Sequence, residues 1–313
     1  TSTGQTIGRF LPFTNNGTID KSCVFDSAAS PALARSLGSN GDRTKFTIST
    51  WIKRGKLLGS GFMSIVTGGT TSTHDGIFFN SSEQIYTYFF GAEALTTTRT
   101  FEDCSKWYHI VLRADSSLST ADDRVRLYID GDQITSFATR NNPSQDATTG
   151  LFLNSSNNIR IGRHGNDSFP YYGDYYLAET LVADGQSYGP DTFGITDTST
   201  GQWIPKDISS GITYGTHGFR MNYANSAGQT IGDDSSGNGN DMTVTNITAS
   251  NISINTPTKN FPVIDIGTAN SSMGFSTANG NMIISSAGTN TTYGVVRLTM
   301  RLPKSGKWIV PFK

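Results

Sequence analysis

Phe46-Thr-Ile-Ser-Thr-Trp-Ile-Lys-Arg54, Ile85-Tyr-Thr-Tyr-Phe-Phe90, Lys106-Trp-Tyr-His-Ile-Val-Leu-Arg113, Arg124-Val-Arg-Leu-Tyr-Ile-Asp-Gly131 and Tyr176-Leu-Ala-Glu-Thr-Leu-Val-Ala-Asp-Gly185 decide the fold. In each, β-branched and aromatic residues recur at period two, and Gly, Asn, Asp and Ser cluster at the ends, which predicts a strand. Between them lie turn clusters such as Gly68-Gly69, Asn141-Asn-Pro143 and Asp184-Gly185. Helical character is confined to Ser30-Pro-Ala-Leu-Ala-Arg-Ser-Leu37. The expectation is an all-β, two-sheet antiparallel sandwich. Its core should draw on Trp51, Trp107 or Tyr108, Phe78 and Leu127 between the sheets.

The order of these motifs resembles the concanavalin A-like jelly roll, and within it the laminin-G/pentraxin branch. The matching residues are Phe46 to Lys53, Trp107 to Val111, Leu127 to Gly131, Ile159 to Gly162 and Tyr176 to Gln186. Further on, Phe193-Gly194, Gly201 to Lys206, Tyr214 to Phe219 and Asp234 to Asp241 resemble a tail found on laminin-G-like virion proteins of tailed, often marine, phages. The resemblance covers roughly the first 250 residues. It implies a non-enzymatic tail fibre, spike or capsid-decorating subunit on the virion exterior, used in assembly or host-surface glycan attachment. It also implies that the stretch from Ser30 to Leu37 is extended. A carbohydrate-binding lectin module is the alternative, and a glycoside hydrolase comes third.

Composition narrows the partners. The chain has 313 residues, 16% of them charged, 34 Gly and a formal net charge of −1. Nucleic-acid binding needs clustered Lys and Arg to release counterions, and the nearest cluster, Lys53-Arg-Gly-Lys56, reads as an exposed strand end. No apolar run approaches the roughly 20 residues that span a bilayer, and Thr1 to Phe10 lacks a signal-peptide pattern. Cys23 and Cys104 allow at most one internal disulfide, and Cys23 reads as a buried thiol. The many Asn-x-Ser/Thr sequons arise from the Asn, Ser and Thr content.

The domain reading places a jelly roll with a wrapping extension at 1–255, its core at about 20–190, and a smaller β-segment at 256–313. In that segment Gly280 to Ser285, Gly294 to Met300 and Gly306 to Val310 look like strands, and Ser305 to Trp308 is similar to an SPRY-type strand. About 57 residues are too few to bury a jelly-roll core alone. The segment should pack on the main domain or on another subunit, with a homo-oligomer, a trimer, as the expected assembly alongside other virion proteins.

Catalytic chemistry finds little support. Laminarinase-type glycanases of this fold use an E-x-D-x-x-E strand for nucleophile and acid, whereas Glu occurs here only at 83, 93, 102 and 179. Glu179 reads as structural. His74, His109, His164 and His217 show no ligand spacing, and no Ser-His-Asp set stands out. Calcium, common at the rim of laminin-G-like domains, points to Asp75, Asp174 and Asp234, each of which also reads as an Asx-turn residue. The dense aromatic turn Ser168 to Tyr176 supplies the remaining candidates, Tyr171, Tyr172 and Tyr175, for stacking on a sugar face.

Overall fold

In a computed structural model, residues 17–69, 74–165, 168–264, 275–278, 281, 283–286 and 298 are described. Chain order gives β1 (Ser22–Phe25), β2 (Ala32–Ser36), β3 (Lys45–Arg54), β4 (Phe62–Gly69), β5 (His74–Asn80), β6 (Gln84–Phe89) and β7 (Ala92–Thr100). Then come β8 (Tyr108–Asp115), β9 (Val125–Ile129), β10 (Asp132–Gln133), β11 (Phe137–Arg140), β12 (Asn158–Ile161) and β13 (Tyr175–Asp184). Shorter strands follow: β14 (Gly194–Thr196), β15 (Trp203–Pro205), β16 (Phe219–Met221), β17 (Thr243–Thr245), β18 (Ile252–Ser253), β19 (Phe275–Ala278) and β20 (Ile283–Ser286). Within the stretch from Ser30 to Leu37, Ala32–Ser36 form strand β2, extended as the family resemblance implied, and Leu33 is buried in the core.

Two antiparallel sheets of eight strands form a jelly-roll sandwich. The first runs β10-β9-β8-β3-β13-β1-β18, with β16 also paired to β13, and the second runs β11-β7-β6-β5-β4-β12-β2-β17. Period-two alternation sends one set of side chains between them. On β3 this set is Phe46, Ile48 and Ile52; on β8 it is Tyr108, Ile110 and Leu112; on β5 and β6 it is Ile77, Phe79, Ile85 and Phe89. Leu127 joins them, as expected.

Trp51, Trp107 and Phe78 are buried but lie elsewhere. Trp51 sits one residue out of phase with Ile52, so it projects from the outer face of the first sheet. There it packs with Trp107, Tyr176, Val24, Ile19 and Val263 under the C-terminal extension. Phe78 is likewise out of phase with Ile77 and Phe79, and lies on the outer face of the second sheet against His74, Tyr86 and His164.

The extension after β13 covers the sandwich and closes one edge of each sheet. β17 pairs with β2, and β18 pairs with β1. Pairing at these edges removes the unpaired N–H and C=O rows that an open strand offers to another chain. The packing continues past Pro257: Lys53 Nζ donates to Asn260 Oδ1 and to the Phe261 carbonyl, and Val263 is buried against the tryptophans. In the C-terminal segment β19 and β20 form a hairpin. The stretches expected at Gly294 to Met300 and Gly306 to Val310 lie outside the described residues, apart from Leu298, whose backbone bridges to Ile264.

Candidate functional site

The outer face of the second sheet carries a continuous patch of aromatic rings. It begins on β6, where alternation turns Ile85, Thr87 and Phe89 inward and leaves Tyr86 and Tyr88 half-buried on the solvent side. His74 on β5 lies 5.0 Å from Tyr88 and 5.3 Å from Phe78, centroid to centroid, and Phe62 on β4 lies 5.4 Å from Tyr86. The loop before β13 adds its own rings. Tyr171 stands edge-on to Phe62 at 5.7 Å and to His164 at 5.4 Å, and Phe169 stacks on Tyr171 at 6.2 Å. His164 closes the set with its ring 4.1 Å from His74. Phe169 is 59% exposed, which is unusual for so apolar a side chain.

Local structure holds the loop rings in place. The Pro170 carbonyl accepts from the His164 N–H at 2.7 Å, and the Tyr171 carbonyl accepts from the Ser64 N–H at 3.3 Å. Tyr171 itself has φ of 30°, a left-handed backbone that costs energy for a non-glycine residue. Arg163 lies over the Tyr172 ring at 5.9 Å. Burial pushes the Tyr86 hydroxyl up to about 12, helped by Glu93 and Tyr88, and burial lowers His74. Tyr86 and His74 are therefore neutral at neutral pH, and both present polarisable faces beside hydroxyl and ring-nitrogen groups.

The sequence candidates divide on inspection. Tyr171 belongs to the patch, whereas Tyr172 stands at its margin beside Arg163. Tyr175 does not belong to it: its ring points between the sheets, fully buried, and its hydroxyl donates to the Ser64 carbonyl. It fits because Gly173 has no side chain, and a Cβ there would lie 2.1 Å from the ring. Burial holds the Tyr175 hydroxyl well above its ordinary range. Phe62, His74, Tyr86, Tyr88 and Phe169 were missed as site residues. The signal was present in Gln84-Ile-Tyr-Thr-Tyr-Phe89, whose period-two reading places two Tyr opposite the inward Ile, Thr and Phe.

The three aspartates clamp three different loops. Asp75 Oδ2 accepts from the Leu151 and Phe152 N–H groups, both at 2.9 Å. Asp174 accepts from the Ser27 N–H at 2.8 Å and pairs with Lys56 at 2.8 Å. Asp234 accepts from the N–H groups of Arg220, Ser236 and Asn240. Calcium takes six to eight oxygen ligands, and among the described residues no three His, Cys, Asp or Glu side chains gather as such a set. In this structure the three carboxylates act as clamps on backbone N–H groups.

Glu179 is also structural in its contacts. It occupies a β-bulge of β13, with φ of 47°, where the register against β3 slips between Ala178 and Leu181. Its two carboxylate oxygens accept from Arg220 Nε at 2.6 Å and Nη2 at 3.0 Å. This fork ties β16 of the extension to the sandwich.

Residues 16–175, slightly more than half of the chain, match the laminin-G family model described as Concanavalin A-like lectin/glucanases superfamily. No curated protein matches the chain. Among solved structures, a heptameric SAP-like pentraxin from Limulus polyphemus is 15% identical over 54% of this chain and 78% of its own, with a TM-score of 0.38. Domains LG4-5 of the mouse laminin alpha1 chain are 13% identical over 56% of this chain and 44% of theirs, at 0.37. A Trypanosoma rangeli sialidase in complex with sialic acid is 17% identical over 47% of this chain and 22% of its own, at 0.35. At such identities and scores they say nothing of ligand or activity here. The sandwich and the family match agree: the chain belongs to the concanavalin A-like lectin/glucanase superfamily, through a laminin-G-type domain.

Proposed function

We propose that the chain is a non-catalytic glycan-binding module whose recognition surface is the aromatic face built on β4, β5, β6 and the loop before β13. One observation carries it: eight rings in mutual contact, from Tyr88 through His74, His164, Phe78, Phe62 and Tyr86 to Tyr171 and Phe169, cover a single sheet face, with Phe169 exposed at its end. Flat sugar faces present axial C–H groups to such rings while equatorial hydroxyls seek polar neighbours. Glu93, Arg163 and the tyrosine hydroxyls supply those at the margins.

The setting proposed for this activity is the exterior of a tailed-phage virion, where the domain attaches to host-surface glycan. Support comes from the order of motifs between Phe46 and Asp241. In that setting the chain assembles as a homo-oligomer, a trimer, in which the 257–313 segment packs on the main domain or meets a neighbouring subunit. A glycan array probed with the intact chain and with the Tyr86→Ala/Tyr171→Ala double variant tests the binding proposal. Signals on a defined set of glycans, lost in the double variant, are expected. Identical signals from both proteins would overturn it. Light scattering tests the assembly, and a monomer with a protease-labile tail after Pro257 would exclude the trimer.

A further inference from the structure

On the opposite face of the sandwich, the extension leaves a cleft of about 280 Å³ beside β3 and β8. Three of the four tryptophans in the sequence line it: Trp51 on β3, Trp107 at the entry to β8 and Trp203 at the start of β15. Their polar atoms are unequally committed. Trp203 Nε1 donates to His109 Nδ1 at 2.9 Å, and Trp107 Nε1 donates to Asn255 Oδ1 at 3.0 Å. Trp51, only 4% exposed, has no acceptor for its Nε1–H among the described residues.

The rest of the lining is polar and balanced in charge. Lys106 and Asp130 pair at 3.0 Å on the rim, and Gln202 and Asn260 add two amides. The Gln202 amide is exposed and makes no side-chain hydrogen bond among the described residues. Two glycines shape the wall. A Cβ at Gly131, where φ is 87°, would lie 2.5 Å from the Trp203 ring, and one at Gly194 would lie 2.4 Å from it.

We infer that this cleft is a second binding site, distinct from the aromatic face, and that it takes a single neutral pyranose. The volume, just under the roughly 300 Å³ at which ligand pockets begin, suits one sugar ring. Trp51 and Trp107 are buried and form the floor, and the partly exposed Trp203 is the indole that can meet the apolar face of a pyranose ring. The adjoining ammonium and carboxylate offer a donor and an acceptor side by side, which matches vicinal hydroxyls, and the Gln202 amide can serve either role, the Asn260 amide being held by Lys53 and Ser105. Because Lys106 and Asp130 cancel, a charged sugar gains nothing from the lining and loses its hydration.

The experiment is a titration of the full chain with methyl glucoside, methyl galactoside, methyl mannoside and N-acetylglucosamine, read by indole fluorescence. The expected result is a saturable change with at least one of these sugars. Gln202→Ala should weaken it by roughly tenfold, about the worth of one good hydrogen bond, with the thermal midpoint unchanged because that amide is exposed. Lys106→Ala should weaken it similarly. The Tyr86→Ala chain, altered on the other sheet, should respond as the parent does, so failure here and failure of the aromatic-face proposal are told apart. A flat response to all four sugars, or a response that both cleft variants leave intact, would overturn the inference. So would a response to adenosine in place of the sugars, since a planar base would then be the occupant.

Discussion

Trp203 donates its indole N–H to Nδ1 of His109 across 2.9 Å, and this one bond fixes the state of the histidine. An indole N–H can only donate, so Nδ1 must be the unprotonated nitrogen and Nε2 carries the hydrogen. Nε2 then donates to Ser49 Oγ, also at 2.9 Å. Trp51 stacks on the same imidazole, centroids 4.4 Å apart. The histidine thereby links β3, β8 and the extension strand β15 through its neutral form.

Acidification should expose that dependence. Burial lowers His109 to about 3, whereas an unfolded chain takes up its proton near 6.5. Below about pH 6.5 the unfolded state binds the proton and the folded state does not, so stability falls as the pH drops from there towards 3. The slope from this group is about 1.4 kcal/mol per pH unit. Urea midpoints of the parent and His109→Phe, followed across that window, should converge as the pH is lowered. Parallel curves would show that the imidazole does not carry the linkage.

Trp51→Ala should cost about 3–5 kcal/mol, the range for deleting a large buried aromatic. The loss falls on the outer cluster with Trp107, Tyr176 and Val263, so the segment around 257–264 should also become easier to cleave. Thermal unfolding and limited proteolysis check both, and an unchanged midpoint would contradict the placement.

Glu179→Gln removes one charge from the fork to Arg220 while keeping the shape. Because both groups are largely buried, the thermal midpoint should drop, consistent with a loss of roughly 1–3 kcal/mol for a charged hydrogen-bonded pair. Glycan binding on the other sheet should not change. Glycan cleavage that disappears with this substitution would instead assign Glu179 a chemical role.

Tyr172→Ala and Tyr175→Phe should part company. Tyr172 lies half-buried beside Arg163 at the margin of the aromatic face, so its loss should weaken adsorption to glycan or to host cells and spare stability. Tyr175→Phe leaves the Ser64 carbonyl without its phenolic donor inside the core, a cost of about 1–2 kcal/mol with no effect on adsorption. Equal effects of the two on adsorption would contradict the division.

Strand order and alternation were legible because period-two patterning is local. What that pattern leaves open is which phase faces the core. β3 carries apolar groups on both sides, Ile48 and Ile52 inward and Trp51 outward, and only the return of residues 203–263 over the outer face explains why a tryptophan can stand there. The same held for Phe78, which sits beneath rings contributed by β4, β6 and the 164–171 loop. Tyr175 was misplaced for a similar reason: its space depends on Gly173 and on a carbonyl of β4, both invisible to spacing. Of the three aspartates only Asp234 makes the local Asx bond, to the Ser236 N–H; Asp75, inside β5, and Asp174 clamp the distant N–H groups of Phe152 and Ser27, which spacing does not reveal.

The aromatic face is tested most directly by a binding isotherm. The glycan giving the strongest array signal would be titrated into the parent and into Phe169→Ala, a variant whose exposed ring contributes little to folding. The expected result is affinity weakened by roughly tenfold, about 1.4 kcal/mol of lost stacking, with the thermal midpoint unchanged. An isotherm identical to that of the parent, both for Phe169→Ala and for the Tyr86→Ala/Tyr171→Ala protein, would contradict a recognition surface on this sheet.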